Sequence, residues 1–254
     1  MEPFTQVKTS KRQKRKQRVK ENSHFSVKTI QDIRFDLRET KFYQDTLGCV
    51  KKIINEISET DCTVEIVCYG LGNFIESYIA RYQLALLVAL RENLKESTCI
   101  DCDIYDPVFT EEECQILDEL EFNVLKQNQE AKHRIKDNAV TLFYMPHCGK
   151  ALYNNVLWSN WGLQLRNAVI IGNSFSRMIE CTPSRILEKT AMYIIKIEQY
   201  TEEVSWQVPD DYQDIFNDTS IHTFISLDTV KDDVWNNSPE PVYDNDEAEI
   251  ILKK

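Results

Sequence analysis

The sequence predicts an α/β fold: one doubly wound, mostly parallel, Rossmann-like sheet with helices on both faces. Three observations predict it. Apolar runs of strand length alternate with stretches of helical periodicity. The middles of those runs are apolar at successive positions, as strands covered on both faces are. The connections are short and carry helix start signals, which is the pattern of βαβ units.

Taken in chain order, Phe42, Leu47, Val50, Ile53, Ile54 and Ile57 recur at helical spacing and predict a helix over 40–58. Strands are expected at 64–69, 98–105, 122–126, 140–145 and 167–172. Asn73 with Glu76 is a capping pair for a helix running to about Leu94, its stripe passing through Ile75, Tyr78, Ile79, Tyr82, Leu86 and Leu90. Thr110 with Glu113 is a capping box for a second connecting helix. A third runs from about Lys150 through Trp158. Thr182-Pro183 opens a fourth, with proline where a missing N–H costs nothing. After Gln199 the regularity fades into shorter, strand-like pieces.

The chain of 254 residues is long enough for one substantial core. The expected division is a basic disordered arm at 1–25, an α/β domain at 39–227 and an acidic disordered tail at 228–254. Residues 8–20, KTSKRQKRKQRVK, carry eight Lys or Arg and no acid, while the chain from Asp228 onward has eight acids against three lysines. The basic run reads either as a solvated arm or as a nuclear-import patch. The net charge of −11 makes the body repel a phosphate backbone, so direct nucleic-acid binding is not expected. No apolar run reaches membrane-spanning length and no apolar leader is apparent, so no membrane association is expected.

The eight cysteines are scattered through apolar runs and read as free thiols of a reducing compartment. Cys99 and Cys102 form a CxxC on an expected strand. Positions three apart there point to opposite faces, and no second ligand pair follows, so no metal site is expected.

In such a sheet the ligand crevice lies beyond the carboxyl ends of the strands, where the winding reverses. Gly70, Leu71, Gly72 and Asn73 follow the first strand, and Asp106 and Pro107 follow the second. Pro146, His147 and Cys148 follow the fourth, and Asn173 and Ser174 follow the fifth. Gly70 and Gly72 admit close approach to the main chain, and the helix start after Asn73 suits an anion. The pattern lacks the third glycine of a dinucleotide fingerprint and the Lys-Ser/Thr of a P-loop. A tight turn that only glycine permits is the competing reading. Asp106 is a candidate ribose acceptor or simply the start of a turn before Pro107. His147 and Cys148 suit acid/base or nucleophilic chemistry or metal or haem ligation, yet neighbours in sequence seldom aim at one point. HExxH, GxSxG and paired carboxylates are absent from the sequence.

YGLGNF (69–74), the Asp-Pro at 106–107, LFYMPHCG (142–149) and FNDTSIHTF (216–224) occur in order and together resemble the SRR-like family, named in plants for "sensitivity to red light reduced". The resemblance implies a regulatory protein of cytoplasm and nucleus, linked to circadian-clock input and to control of haem synthesis, acting through protein partners and with no settled enzymatic activity. In its last segment Phe216, Ile221 and Phe224 are expected to dock on the domain, with Asn217, Asp218 and His222 facing a crevice. The alternative there is that Asp218 and Ser220 cap a turn. Two other functional readings stand beside the regulatory one. One is a methyltransferase-like enzyme binding S-adenosylmethionine or another nucleotide-type ligand, for which the usual acid at the end of strand one is replaced by Cys68 and Tyr69. The other is a haem sensor using His147, Cys148 or His222.

Overall fold

The computed structural model describes residues 25–58, 63–95, 100–236, 238–243 and 250–253; the basic run at 8–20 lies outside them, as do Cys62 and Cys99. Two helices precede the sheet, α1 (Val27–Arg38) and α2 (Lys41–Ile57). The strands and helices that follow are β1 (Thr63–Tyr69), α3 (Tyr78–Lys95), β2 (Ile100–Tyr105), α4 (Glu111–Glu119), β3 (Asn123–Val124), β4 (Ala139–Met145), α5 (Lys150–Ser159) and β5 (Ala168–Asn173). Three short helices, α6 (Phe175–Cys181), α7 (Ser184–Thr190) and α8 (Met192–Ile197), lead to β6 (Glu202–Ser205), α9 (Gln213–Phe216), β7 (Thr219–Thr223) and α10 (Asp232–Trp235).

The seven strands lie in the order β3-β2-β1-β4-β5-β7-β6. Pairing is parallel from β3 to β5, and β7 inserts antiparallel between β5 and β6. The winding reverses at β1, which has β2 on one side and β4 on the other.

Alternation along β1 divides the core. Val64, Ile66 and Cys68 face the layer formed by α1–α4, while Val67 and Tyr69 face the layer of α5 and the helices after it. Each fully buried aliphatic side chain stabilises the fold by roughly 1.5–3 kcal/mol. That is why the runs of β1, β4 and β5 are greasy throughout.

Three expectations need correction. The domain does not begin at 39, because α1 buries Ile30, Ile33 and Leu37 at helical spacing. Phe25, placed by sequence in the arm, packs its ring 5.8 Å from that of Phe74 and lies beneath the Arg81 guanidinium. The helix expected from Asn73 starts later. Asn73 Oδ1 does accept from Glu76 N, at 2.7 Å, but it closes only a turn; the helix begins at Tyr78, with Ser77 Oγ accepting from Ala80 N. Side-chain burial also continues past residue 228, at Val230, Tyr243 and Ile250, and the Trp235 ring sits 5.1 Å from that of Trp161.

Candidate functional site

The bend after β1 is held by two acids, Asp106 at the end of β2 and Glu113 on α4. Gly70 and Gly72 both take positive φ, +68° and +80°. Gly72 N donates to Asp106 Oδ2 at 2.8 Å, and Asp106 Oδ1 accepts from Val108 N at 3.0 Å. Phe74 N and Ile75 N both donate to Glu113 Oε1, at 2.6 and 3.3 Å. The other oxygen of Glu113 closes the Thr110 capping box, as the sequence predicts. Three main-chain donors of the bend, Gly72 N, Phe74 N and Ile75 N, therefore meet the protein's own carboxylates.

Gly70 serves another approach. A Cβ there would fall 2.4 Å from Cys148 Sγ, whose thiol donates to Tyr69 O at 3.1 Å. At Gly72 no atom lies within 4 Å of the position a Cβ would take. The first glycine makes room for a side chain of the fold; the second borders open space.

That space is a cavity of about 310 Å³ at the carboxyl ends of β1, β2 and β4, the switch point of the sheet. Of the residues expected at a site, Gly70, Gly72, Asp106, Pro107, His147 and Cys148 line it. Burial lifts the Asp106 carboxyl above its ordinary pKa, partly offset by the hydrogen bonds from Val108 and Gly72. Burial likewise pushes the Cys148 thiol far up, so it stays protonated at neutral pH.

His147 is exposed and adopts φ +58°. Its N–H donates to Asn173 Oδ1 at 2.8 Å, and Asn173 Nδ2 donates to Cys148 O at 3.2 Å, so Asn173 shapes the loop from behind. The imidazole lies between Gln83 Nε2, 3.3 Å from Nδ1, and Asn217 O, 3.4 Å from Nε2. Gln83 Nε2 can only donate and Asn217 O can only accept. These neighbours select the tautomer protonated on Nε2.

The remaining expected residues lie elsewhere. Leu71 is buried in the core, Pro146 is buried, and Asn73 closes its turn. Ser174 caps α6 by accepting from Arg177 N. Asp218, at φ +58°, accepts from Ser174 N through its carbonyl and lies 3.5 Å from Arg177. His222 does not reach a crevice. It is fully buried on β7, with Nδ1 3.1 Å from Ile170 O, Nε2 accepting from Phe175 N and its ring stacked 4.0 Å from that of Phe175.

This arrangement does not suit haem. Both ring nitrogens of His147 have neighbours, Cys148 Sγ points to the main chain, and His222 is sealed in the sheet. Among the described residues no cluster of three His, Cys, Asp or Glu side chains could hold a metal ion. Sequence reasoning missed Glu113 as a clamp on the bend, the buried Gln83, and Tyr105, Ile250 and Ile251 in the cavity wall. Glu113 had a local signal in its capping box, but a partner 39 residues away leaves none.

The SRR1 domain family model matches residues 50–223 of this chain. An SRR1-like protein of Mus musculus is 44% identical over 135 residues, which are 53% of this chain and 53% of that protein. An SRR1-like protein of Drosophila melanogaster is 33% identical over 160 residues, 63% of this chain and 54% of the relative. Protein SENSITIVITY TO RED LIGHT REDUCED 1 of Arabidopsis thaliana is 31% identical over 224 residues, 84% of this chain and 76% of the relative. The chain thus spans about half the length of the mouse and fly relatives it matches. No solved structure matches it.

Proposed function

This chain belongs to the SRR1 domain family, and on that premise we propose that it is a regulatory α/β domain acting through protein partners and a small ligand held at the switch-point cavity. The observation that carries the reading is the content of the cavity wall. It has ionisable groups where a doubly wound sheet binds ligands, yet its thiol is neutral, both imidazole nitrogens are engaged and its carboxylate holds main chain. Those are features of a receptor more than of a catalyst. The proposal extends to circadian-clock input and to control of haem synthesis. The name of the Arabidopsis relative, which speaks of reduced sensitivity to red light, supports the light-input side. The proposal also includes residence in cytoplasm and nucleus, with residues 8–20 as the import signal.

A second reading, a methyltransferase-like domain binding S-adenosylmethionine, is favoured by one observation. A sheet with strand seven inserted antiparallel between strands five and six is an order such enzymes share.

The test is native mass spectrometry of the purified protein, together with restoration of cells that lack it by wild type or His147→Ala. A carried small molecule, and failure of His147→Ala to restore rhythm and haem synthesis where wild type restores both, are expected. No carried molecule and full rescue by His147→Ala would overturn the regulatory reading. Turnover of S-adenosylmethionine would establish the second.

A further inference from the structure

We infer that the switch-point cavity takes a ribonucleoside without phosphate, uncharged or cationic. The inference rests on the ligand-binding reading above and narrows it to a chemical class. Three features of the wall carry it.

The first is the missing anion cradle. A phosphate in such a sheet is bound by main-chain N–H groups in the turn after β1 and at the start of the next helix. Here Gly72 N is taken by Asp106, Phe74 N and Ile75 N by Glu113, and Glu76 N by Asn73. A phosphate entering would face the Asp106 carboxylate in place of those donors.

The second is charge. Among the described residues that line the cavity there is no Lys or Arg, and Asp106 is the one carboxylate. Each Asp106 oxygen accepts a single main-chain hydrogen bond from the described residues, which leaves lone pairs for a donor. An acid after strand two is placed to accept from ribose hydroxyls, and the pair of oxygens matches a vicinal diol.

The third is size and surface. About 310 Å³ lies at the small end for ligand pockets, enough for one base and one sugar but not for a dinucleotide. Tyr105, Val108, Leu152, Ile250 and Ile251 give it apolar walls against which a base can lie.

Calorimetric titration of the full chain with adenosine, AMP and 2′-deoxyadenosine tests this. Adenosine is expected to bind, with AMP and 2′-deoxyadenosine each at least tenfold weaker. Asp106→Asn is expected to weaken adenosine at least tenfold. Since that change also disturbs the bend, Ile251→Lys, at a rim position 58% exposed, gives an independent reading: its added cation is expected to narrow the gap between AMP and adenosine. Absence of adenosine binding, AMP binding as tight as adenosine, or no change with either variant would overturn the inference. If adenosine fails while native mass spectrometry finds another carried molecule, only the nucleoside class falls. If nothing is carried and His147→Ala rescues fully, the ligand-binding reading falls with it.

Discussion

Gly70 and Cys148 share one volume: any side chain at position 70 would put its Cβ 2.4 Å from the Cys148 sulfur. This contact joins the turn after β1 to the loop after β4, two of the three strand ends that frame the cavity. The glycine is required twice over, once for its φ of +68° and once for that space.

The two requirements separate by mutation. Gly72→Ala meets only the backbone term, about 1–2 kcal/mol, because nothing lies within 4 Å of its Cβ position. Gly70→Ala adds a collision with Sγ and is expected to cost more, by about 1–3 kcal/mol, the range for overpacking. In Gly70→Ala/Cys148→Ala the collision disappears, since the next atoms lie 3.7 Å away. Urea unfolding of these three variants and of Cys148→Ala is expected to show a double mutant more stable than the sum of its singles predicts. Simple additivity would mean that the sulfur moves aside freely.

Glu113 is the second fastener of the bend. It is fully buried and joins Thr110 to Phe74 and Ile75. Glu113→Ala strands several buried donors and is expected to cost about 3 kcal/mol or more. Glu113→Gln keeps the shape but offers one amide group to donors, and is expected to fall between. Hydrogen exchange at Phe74 and Ile75 is the local readout. Unchanged protection there in Glu113→Ala would show that the bend holds itself.

These clamps mark the limit of what sequence reveals. Strands β1, β4 and β5 were legible because burial on both faces leaves an apolar run with no alternation to misread, whereas the exposed β6 and the short β7 left no such run and were not placed. Helix α1 was not, since its apolar repeat of Val27, Ile30, Ile33 and Leu37 is short and a basic run precedes it. The Asn73/Glu76 pair signals a capped turn whether or not a helix follows, so the start of α3 was misplaced. His222 looked like a crevice residue because imidazoles usually are polar outliers; its stacking on Phe175 is a long-range fact. The cavity's position followed from strand ends alone, whereas Ile250 and Ile251 come to it from a distant part of the chain.

Acid sensitivity has an identifiable source at the opposite end of β1. Glu65 is 4% exposed and lies 3.1 Å from His133 Nε2 and 2.8 Å from Lys136 Nζ. Burial raises its pKa, but the hydrogen bonds from His133 and Lys136 together outweigh that and bring it from 4.5 to about 2. A folded pKa below the unfolded one gives stability that is present above pH 4.5 and is lost as pH falls through 2. Lys136 is 61% exposed, so screening limits the effect to about 1–2 kcal/mol at neutral pH. Glu65→Gln is expected to be less stable at pH 7 and to converge with wild type near pH 2. A gap independent of pH would assign the loss to packing.

His147 offers a test with opposite signs. Its φ of +58° strains any residue except glycine. His147→Gly is therefore expected to keep or raise the melting temperature while removing the imidazole from the cavity wall. His147→Ala keeps the strain, and Gln83 Nε2 keeps its bond to Ile215 O at 3.0 Å, so only a small loss is expected. If both variants lose ligand or partner, the ring is functional and its loss is not a folding defect. Normal binding in both would reduce His147 to a loop residue.

The acidic C-terminal segment, which reads as a dispensable tail, is expected to matter for both folding and access. Tyr243 Oη accepts from Asn154 Nδ2 at 2.9 Å and lies 2.8 Å from Asn155 Oδ1 and 3.1 Å from Ala151 O, all on α5. Asn154 and Asn155 are almost fully buried, so Tyr243→Phe leaves their amides short of a partner at a cost of about 1–3 kcal/mol. Farther on, Asn128 Nδ2 donates to Ile251 O at 2.6 Å and Lys253 N to Glu130 Oε1 at 2.6 Å, holding Ile250 and Ile251 at the cavity wall. Removing residues 244–254 keeps the Tyr243 anchor but takes away that wall. The melting temperature is then expected to change less than in Tyr243→Phe, while N-ethylmaleimide reaches Cys148 at least tenfold faster, with exposed Cys181 as the internal control. Equal acceleration at both thiols would indicate general loosening. No acceleration at Cys148 would show that the thiol is sealed by Gly70 and Tyr69 alone, and that the segment beyond Tyr243 has no part in guarding the cavity.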